Sequence, residues 1–66
     1  SVRERMSSIL IRLQEQSVLE FSQLYTRAEG RMGLVVSFLA ILELAKQALL
    51  TMTQSQAFAP IHIQAA

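Results

Sequence analysis

Few side chains in this sequence are of types that do chemistry, and those few stand apart. His62 is the single histidine. It lies between Ile61 and Ile63, with no further ligand at metal-binding spacing, and reads as a surface side chain. The carboxylates Glu4, Glu15, Glu20, Glu29 and Glu43 are solitary, so no pair is spaced for general acid–base work. Ser7, Ser8 and Ser17 have no base beside them to make a nucleophile. No glycine-rich phosphate loop is present. The chain has no cysteine, which excludes a disulfide framework and thiolate metal sites and fits a reducing cytosol. These residues predict no enzyme, no metal, no cofactor and no small-molecule ligand.

The chemistry that remains is burial of apolar surface. Residues 33–46 are apolar almost all round, although a helix with one solvated face carries a polar stripe opposite its apolar one. Leu34, Phe38, Ile41 and Ala45 share one side at helical spacing. Val35, Leu39 and Leu42 form a second apolar row, turned away from the first. One row can serve the domain's own core. The second either packs internally against the preceding helices or needs an outside surface, for which a protein partner is the simplest candidate. Val35, Leu39 and Leu42, bordered by Phe38 and Lys46, are therefore the candidate partner-binding residues. Glu43 sits inside this apolar helix, either solvated opposite the core or as a polar contact at the rim of a partner surface.

Composition agrees. A chain of 66 residues is one small domain that buries only about 60% of its unfolded surface. Its apolar fraction of 52% leaves few residues to cover that core, which points to a surface shared with a partner. Six basic and five acidic residues give a net charge of +1. Arg3, Arg5, Arg12, Arg27, Arg31 and Lys46 are scattered, unlike the clustered excess of a nucleic-acid domain. No signal peptide is visible, and the apolar run stops short of the ~20 residues that span a bilayer. Because the chain opens on a polar, charged segment without an initiator Met, residues 1–66 are expected to be a single domain of a longer protein.

The elements follow from local pattern. Ser1 and Glu4 form a capping box. Met6, Ile9, Leu10 and Leu13 then recur at helical spacing, predicting a first helix over residues 2–14. Val18, Leu19, Glu20 and Phe21 suit a short strand. Ser22 is the expected N-cap of a second helix through Leu24, Tyr25 and Ala28; the rival cap is Ser17 with Glu20. Gly30 is the expected stop, and a third helix spans residues 31–47. After Ala48 the pattern alternates, with Leu50 and Met52 opposite Thr51 and Thr53. Residues 54–57 read as a turn, and Pro60 opens a last strand, Ile61, His62 and Ile63, with both isoleucines on one face. Ala65 and Ala66 are expected to fray. The fold class is mostly α with a small β-hairpin, in the order of a winged helix: three helices plus a wing.

These residues resemble a known family. Phe38-Leu39-Ala40-Ile41-Leu42-Glu43-Leu44, followed by Gln54, Phe58 and Ile61, is similar to the C-terminal winged-helix domain of the segregation and condensation protein A family, the bacterial kleisins. Val18-Leu19-Glu20-Phe21-Ser22-Gln23-Leu24 is also similar, so the resemblance covers residues 18–63. This chain has Ala59-Pro60 where the family usually has Gly-Asp, and Gln47-Ala48 where it often has a Gly. The resemblance implies a subunit of the bacterial condensin complex, cytoplasmic and nucleoid-associated, acting in chromosome condensation and segregation. Its C-terminal domain is expected to bind one ATPase head of a structural-maintenance-of-chromosomes (SMC) dimer. Other condensin subunits would be reached through parts of the protein outside these residues.

The main rival is a DNA-binding winged helix of transcription-factor type. Such a domain presents Arg, Lys, Asn or Gln from its third helix to bases and phosphates. Here that helix carries Arg31 and Lys46 at its ends and aliphatic side chains between, so no direct nucleic-acid contact is expected. A membrane-surface helix would want a basic polar face, and none is present. An apolar face lacking its partner is also expected to make the isolated domain self-associate.

Overall fold

The computed structural model describes residues 1–66. Helix α1 is Val2–Glu15. The capping box forms as expected, with Ser1 Oγ accepting from the Glu4 amide at 3.2 Å. The helix ends where Gln16 turns extended, at φ −127 and ψ 125. Ile9 and Leu13 are buried, while Met6 and Leu10 pack against the core edge. Strand β1, Val18–Glu20, follows and sends Leu19 inward.

The expected helix capped by Ser22 does not form. Two 3₁₀ turns stand in its place, Phe21–Leu24 and Arg27–Glu29. Tyr25 and Thr26 are extended between them, at φ −144 and −115. Local side-chain bonds to the backbone compete with the helix here. Gln23 Oε1 accepts from the Glu20 amide at 2.8 Å, and Glu29 Oε2 from the Thr26 amide at 2.7 Å. The Leu24 carbonyl, which an α-helix would use internally, accepts from Arg5 and Ser37 side chains instead. A segment this short gains too little from propagation to offset nucleation.

Gly30 opens helix α2, Gly30–Lys46, rather than stopping a helix. Its φ of 66 with ψ −154 is a conformation L side chains rarely adopt, and it swings the chain from the second turn into α2. At the far end Leu49 donates to the Leu44 carbonyl at 2.9 Å and Ala48 to Ala45 at 3.0 Å. That is a Schellman closure with Ala48, at φ 60, where glycine is usual.

Strands β2, Leu50–Thr53, and β3, His62–Ala65, complete an antiparallel sheet of order β1-β3-β2. Ile63 sits at its centre, opposite Leu19 on one side and Met52 on the other. The last strand begins at His62, one residue later than expected. Ile61 stays just outside it, its carbonyl accepting from the Phe21 amide at 2.8 Å. The expected fraying at the end gives way to pairing: Ala65 lies opposite Leu50, and Ala66 donates to Leu49 at 3.2 Å. The molecule is thus mostly helical, with two α-helices and a small three-stranded antiparallel sheet.

The core joins Ile9 and Leu13 of α1, Leu19, Leu24, the α2 residues Ala40, Ile41 and Leu44, and Leu50 and Ile63 of the sheet. The buried seam of α2 runs through Gly33, Ser37, Ala40, Ile41 and Leu44. This corrects the expected core row: Ile41 is buried and Ala45 partly so, but Leu34 and Phe38 are 42% and 41% exposed. Gly33, Ser37 and Ala40 are small, so α1 and the turns approach α2 along them.

A polar hub locks that approach. Arg5 donates to the Leu24 carbonyl, to Ser37 Oγ at 2.8 Å and to Glu29 Oε1. Ser37 Oγ donates in turn to the Leu24 carbonyl at 3.1 Å. Ser37 is fully buried and fully bonded, as no buried side-chain N or O lacks a partner. The Arg5 guanidinium bonded to Glu29, helped by the Thr26 amide, holds the Glu29 carboxyl below its ordinary value.

Candidate protein-interaction surface

Once its seam is buried, α2 keeps an apolar face turned outward. Val35, Leu39, Leu42 and Lys46 follow one another at steps of four, three and four residues, and Phe38 lies three after Val35 and four before Leu42, so they line one side of the helix. Leu34, Val35, Phe38, Leu39 and Leu42 are between 37% and 47% exposed. Lys46 is exposed at the C-terminal end, where its charge suits the helix dipole. Leu34, expected in the core, joins the outward face instead. The alternative of wholly internal packing for Val35, Leu39 and Leu42 does not describe this structure, because they are 37%, 47% and 42% exposed and lie outside the core cluster.

Phe38 is held at the border of that face. Its ring meets Phe21 edge-on, with centroids 6.1 Å apart and planes at 87°. Phe21 in turn lies 5.4 Å from Tyr25. Such tilted aromatic pairs fix ring positions beyond simple burial. Phe38 and Leu42 also form one wall of an open groove of about 270 Å³. Met52, Thr53, Gln54 and Ile61 form the other wall, so the groove joins α2 to the loop end of the β2–β3 hairpin. The apolar run in the sequence signals the helix side of this groove. The hairpin side becomes legible only when β2 and β3 are paired.

Glu43 is half-buried at the flank and accepts from Gln47 Nε2 at 2.8 Å. His62 is exposed on β3, opposite Glu20 and Thr53 on the flanking strands. No three His, Cys, Asp or Glu side chains converge. The one carboxylate with a perturbed titration, Glu29, is tied to Arg5 in the structural hub and faces no groove.

The class of molecule is then a small helical domain, closed by an antiparallel sheet, that presents apolar rather than reactive side chains. Residues 1–66 match the family model described as segregation and condensation protein ScpA, and the chain belongs to that family. It is 46% identical over 65 residues to the segregation and condensation protein A of Coxiella burnetii, covering 98% of this chain and 24% of that protein. To the protein of the same name from Xylella fastidiosa strain 9a5c it is 47% identical over 64 residues, covering 97% and 21%. To that of Listeria welshimeri it is 39% identical over 66 residues, covering 97% and 26%. The chain spans about a quarter of the length of these relatives.

Proposed function

We propose that this chain is a non-catalytic protein-interaction domain of a bacterial kleisin, which docks the outward face of α2 on an SMC ATPase head. Through that contact it acts in chromosome condensation and segregation, in the cytoplasm at the nucleoid. The observation that carries the reading is the row of large apolar side chains left uncovered on α2. Family membership supports the choice of partner. The domain is of winged-helix type: the two 3₁₀ turns replace a middle helix, α2 takes the third position, and the β2–β3 hairpin is the wing.

Contact centred on Val35, Phe38, Leu39 and Leu42 gains by removing apolar surface from water. A polyanion offers these side chains nothing. The basic groups of α2 are Arg31 and Lys46, one in its first turn and one at its end, so nucleic acid is not a direct partner of this domain. No helix is long and apolar enough to cross a membrane. Left uncovered, the same face drives self-association of the isolated domain at high concentration.

The experiment is a titration of the labelled chain with a purified SMC head and, in parallel, with duplex DNA at low salt. Saturable, salt-tolerant binding to the head alone is expected, because the contact is apolar. Salt-sensitive binding to DNA without binding to the head would replace this reading with the DNA-binding one.

A further inference from the structure

The tip of the β2–β3 hairpin carries an aromatic ring with no neighbour of its own. Phe58 is 102% exposed, as open as in an extended peptide. Its backbone sits at φ 66, in the left-handed region that a bulky side chain avoids. A lone exposed apolar residue needs no explanation. One that is fully exposed and also held in a costly conformation does, since such strain persists only where the surroundings impose it.

The surroundings do impose it. Gln54 Nε2 donates to the Ala59 carbonyl at 2.7 Å, and the Ala59 amide donates to Gln56 at 3.1 Å. Pro60 fixes its own φ and restricts Ala59 before it. The ring is therefore presented on a braced loop, so little further ordering is needed when it is buried. An aromatic ring with two side-chain torsions loses little entropy on burial, which suits it to anchor a contact.

Charge selects the kind of partner. From residue 47 to residue 66 there is no Lys, Arg, Asp or Glu. A lipid surface or a nucleic acid would be met by basic side chains, and the wing has none. Position selects which protein. Gln54 braces the Phe58 loop and also lines the groove shared with Phe38 and Leu42. A protein lying on the α2 face thus reaches the wing without a gap.

We infer that Phe58 is a preorganised anchor that inserts into an apolar, uncharged pocket of the same protein that covers α2. This rests on the docking proposed above and adds a second, separate contact to it. Phe58→Asn removes the ring and tolerates the left-handed backbone, and Phe58→Gly relieves it outright. Both variants are expected to melt no lower than the unaltered chain and to bind the purified SMC head about thirtyfold more weakly, the scale of an aromatic hot spot. Affinity within about twofold of the unaltered chain, while Leu39→Arg loses binding, would overturn the anchor and leave the α2 docking intact. Absence of head binding by the unaltered chain would overturn both. Self-association that Phe58→Asn removes without changing head affinity would assign the ring to a second copy, and retention by neutral phosphatidylcholine vesicles would assign it to lipid; either result contradicts the inference.

Discussion

Replacing Gly33 with alanine sets helix propensity against packing, and the structure decides the sign. Gly33 is the fourth residue of α2, and alanine there would gain up to ~1 kcal/mol of propensity. A Cβ at this position, however, falls 2.5 Å from Glu29 Cβ and 3.0 Å from Glu29 Cδ. Ordinary contact begins near 3.4 Å, so the two must part by about 1 Å, the kind of overpacking that costs ~1–3 kcal/mol. The clash is with the root of the Glu29 side chain, which cannot swing aside as its tip could. Glu29 is also pinned by Arg5 and by the Thr26 amide, so its retreat opens the hub. Gly33→Ala is expected to destabilise by ~1–2 kcal/mol net, lowering the midpoint of thermal unfolding by roughly 5–15 °C in a domain of this size. The assay is melting followed by circular dichroism, done also in a Glu29→Gly background. With the opposing Cβ gone, the same alanine is expected to stabilise by up to ~1 kcal/mol. A higher melting temperature for Gly33→Ala alone would refute the close approach of Glu29 to α2.

Two further outcomes follow from the helix end and the hub. Ala48 holds the left-handed position of the Schellman closure, which costs a non-glycine residue ~1–2 kcal/mol. Ala48→Gly recovers that cost less the extra freedom of glycine in the unfolded chain, a net gain of ~0.5–1 kcal/mol and a melting point higher by a few degrees; a lower one contradicts the assigned backbone. Glu29, whose carboxyl is held below 4.5 by Arg5 first and the Thr26 amide second, contributes stability that is present above that value and lost as pH falls through its folded-state value. Urea midpoints should therefore drop below about pH 4.5 more steeply for the unaltered chain than for Glu29→Gln, and parallel curves would show that the pair adds nothing.

Where the sequence was legible, local rules sufficed. Ser1 and Glu4 cap α1 because a capping box needs only neighbours, and Leu50 and Ile63 fall in strands because alternation is local. The outward row of α2 stood out because one helix carried more apolar residues than one core can use. The buried seam did not stand out. Gly33, Ser37 and Ala40 rank low in hydrophobicity, and they are buried for their size, against Arg5 and the turns. Leu34 and Phe38 outrank them and are displaced outward. The middle helix failed partly for a non-local reason: besides the local bonds of Gln23 and Glu29, the Leu24 carbonyl is claimed by Arg5, nineteen positions earlier. Gly30 carried the punctuation of a helix end in the sequence but serves a helix start, because its φ of 66 belongs to the turn before it. The hairpin side of the groove needed strand register, which no short window contains.

Head binding by Leu39→Arg and Leu42→Arg tests most directly whether the outward α2 face is the docking surface proposed for it. Both positions are exposed, at 47% and 42%, and neither belongs to the core cluster, so both variants should keep the circular dichroism spectrum and melting point of the unaltered chain. A guanidinium forced against a desolvated apolar patch should cost ~2 kcal/mol or more, which is about thirtyfold in affinity for the purified SMC head. Folded variants that lose this binding are the predicted result; folded variants that bind like the unaltered chain would contradict the account.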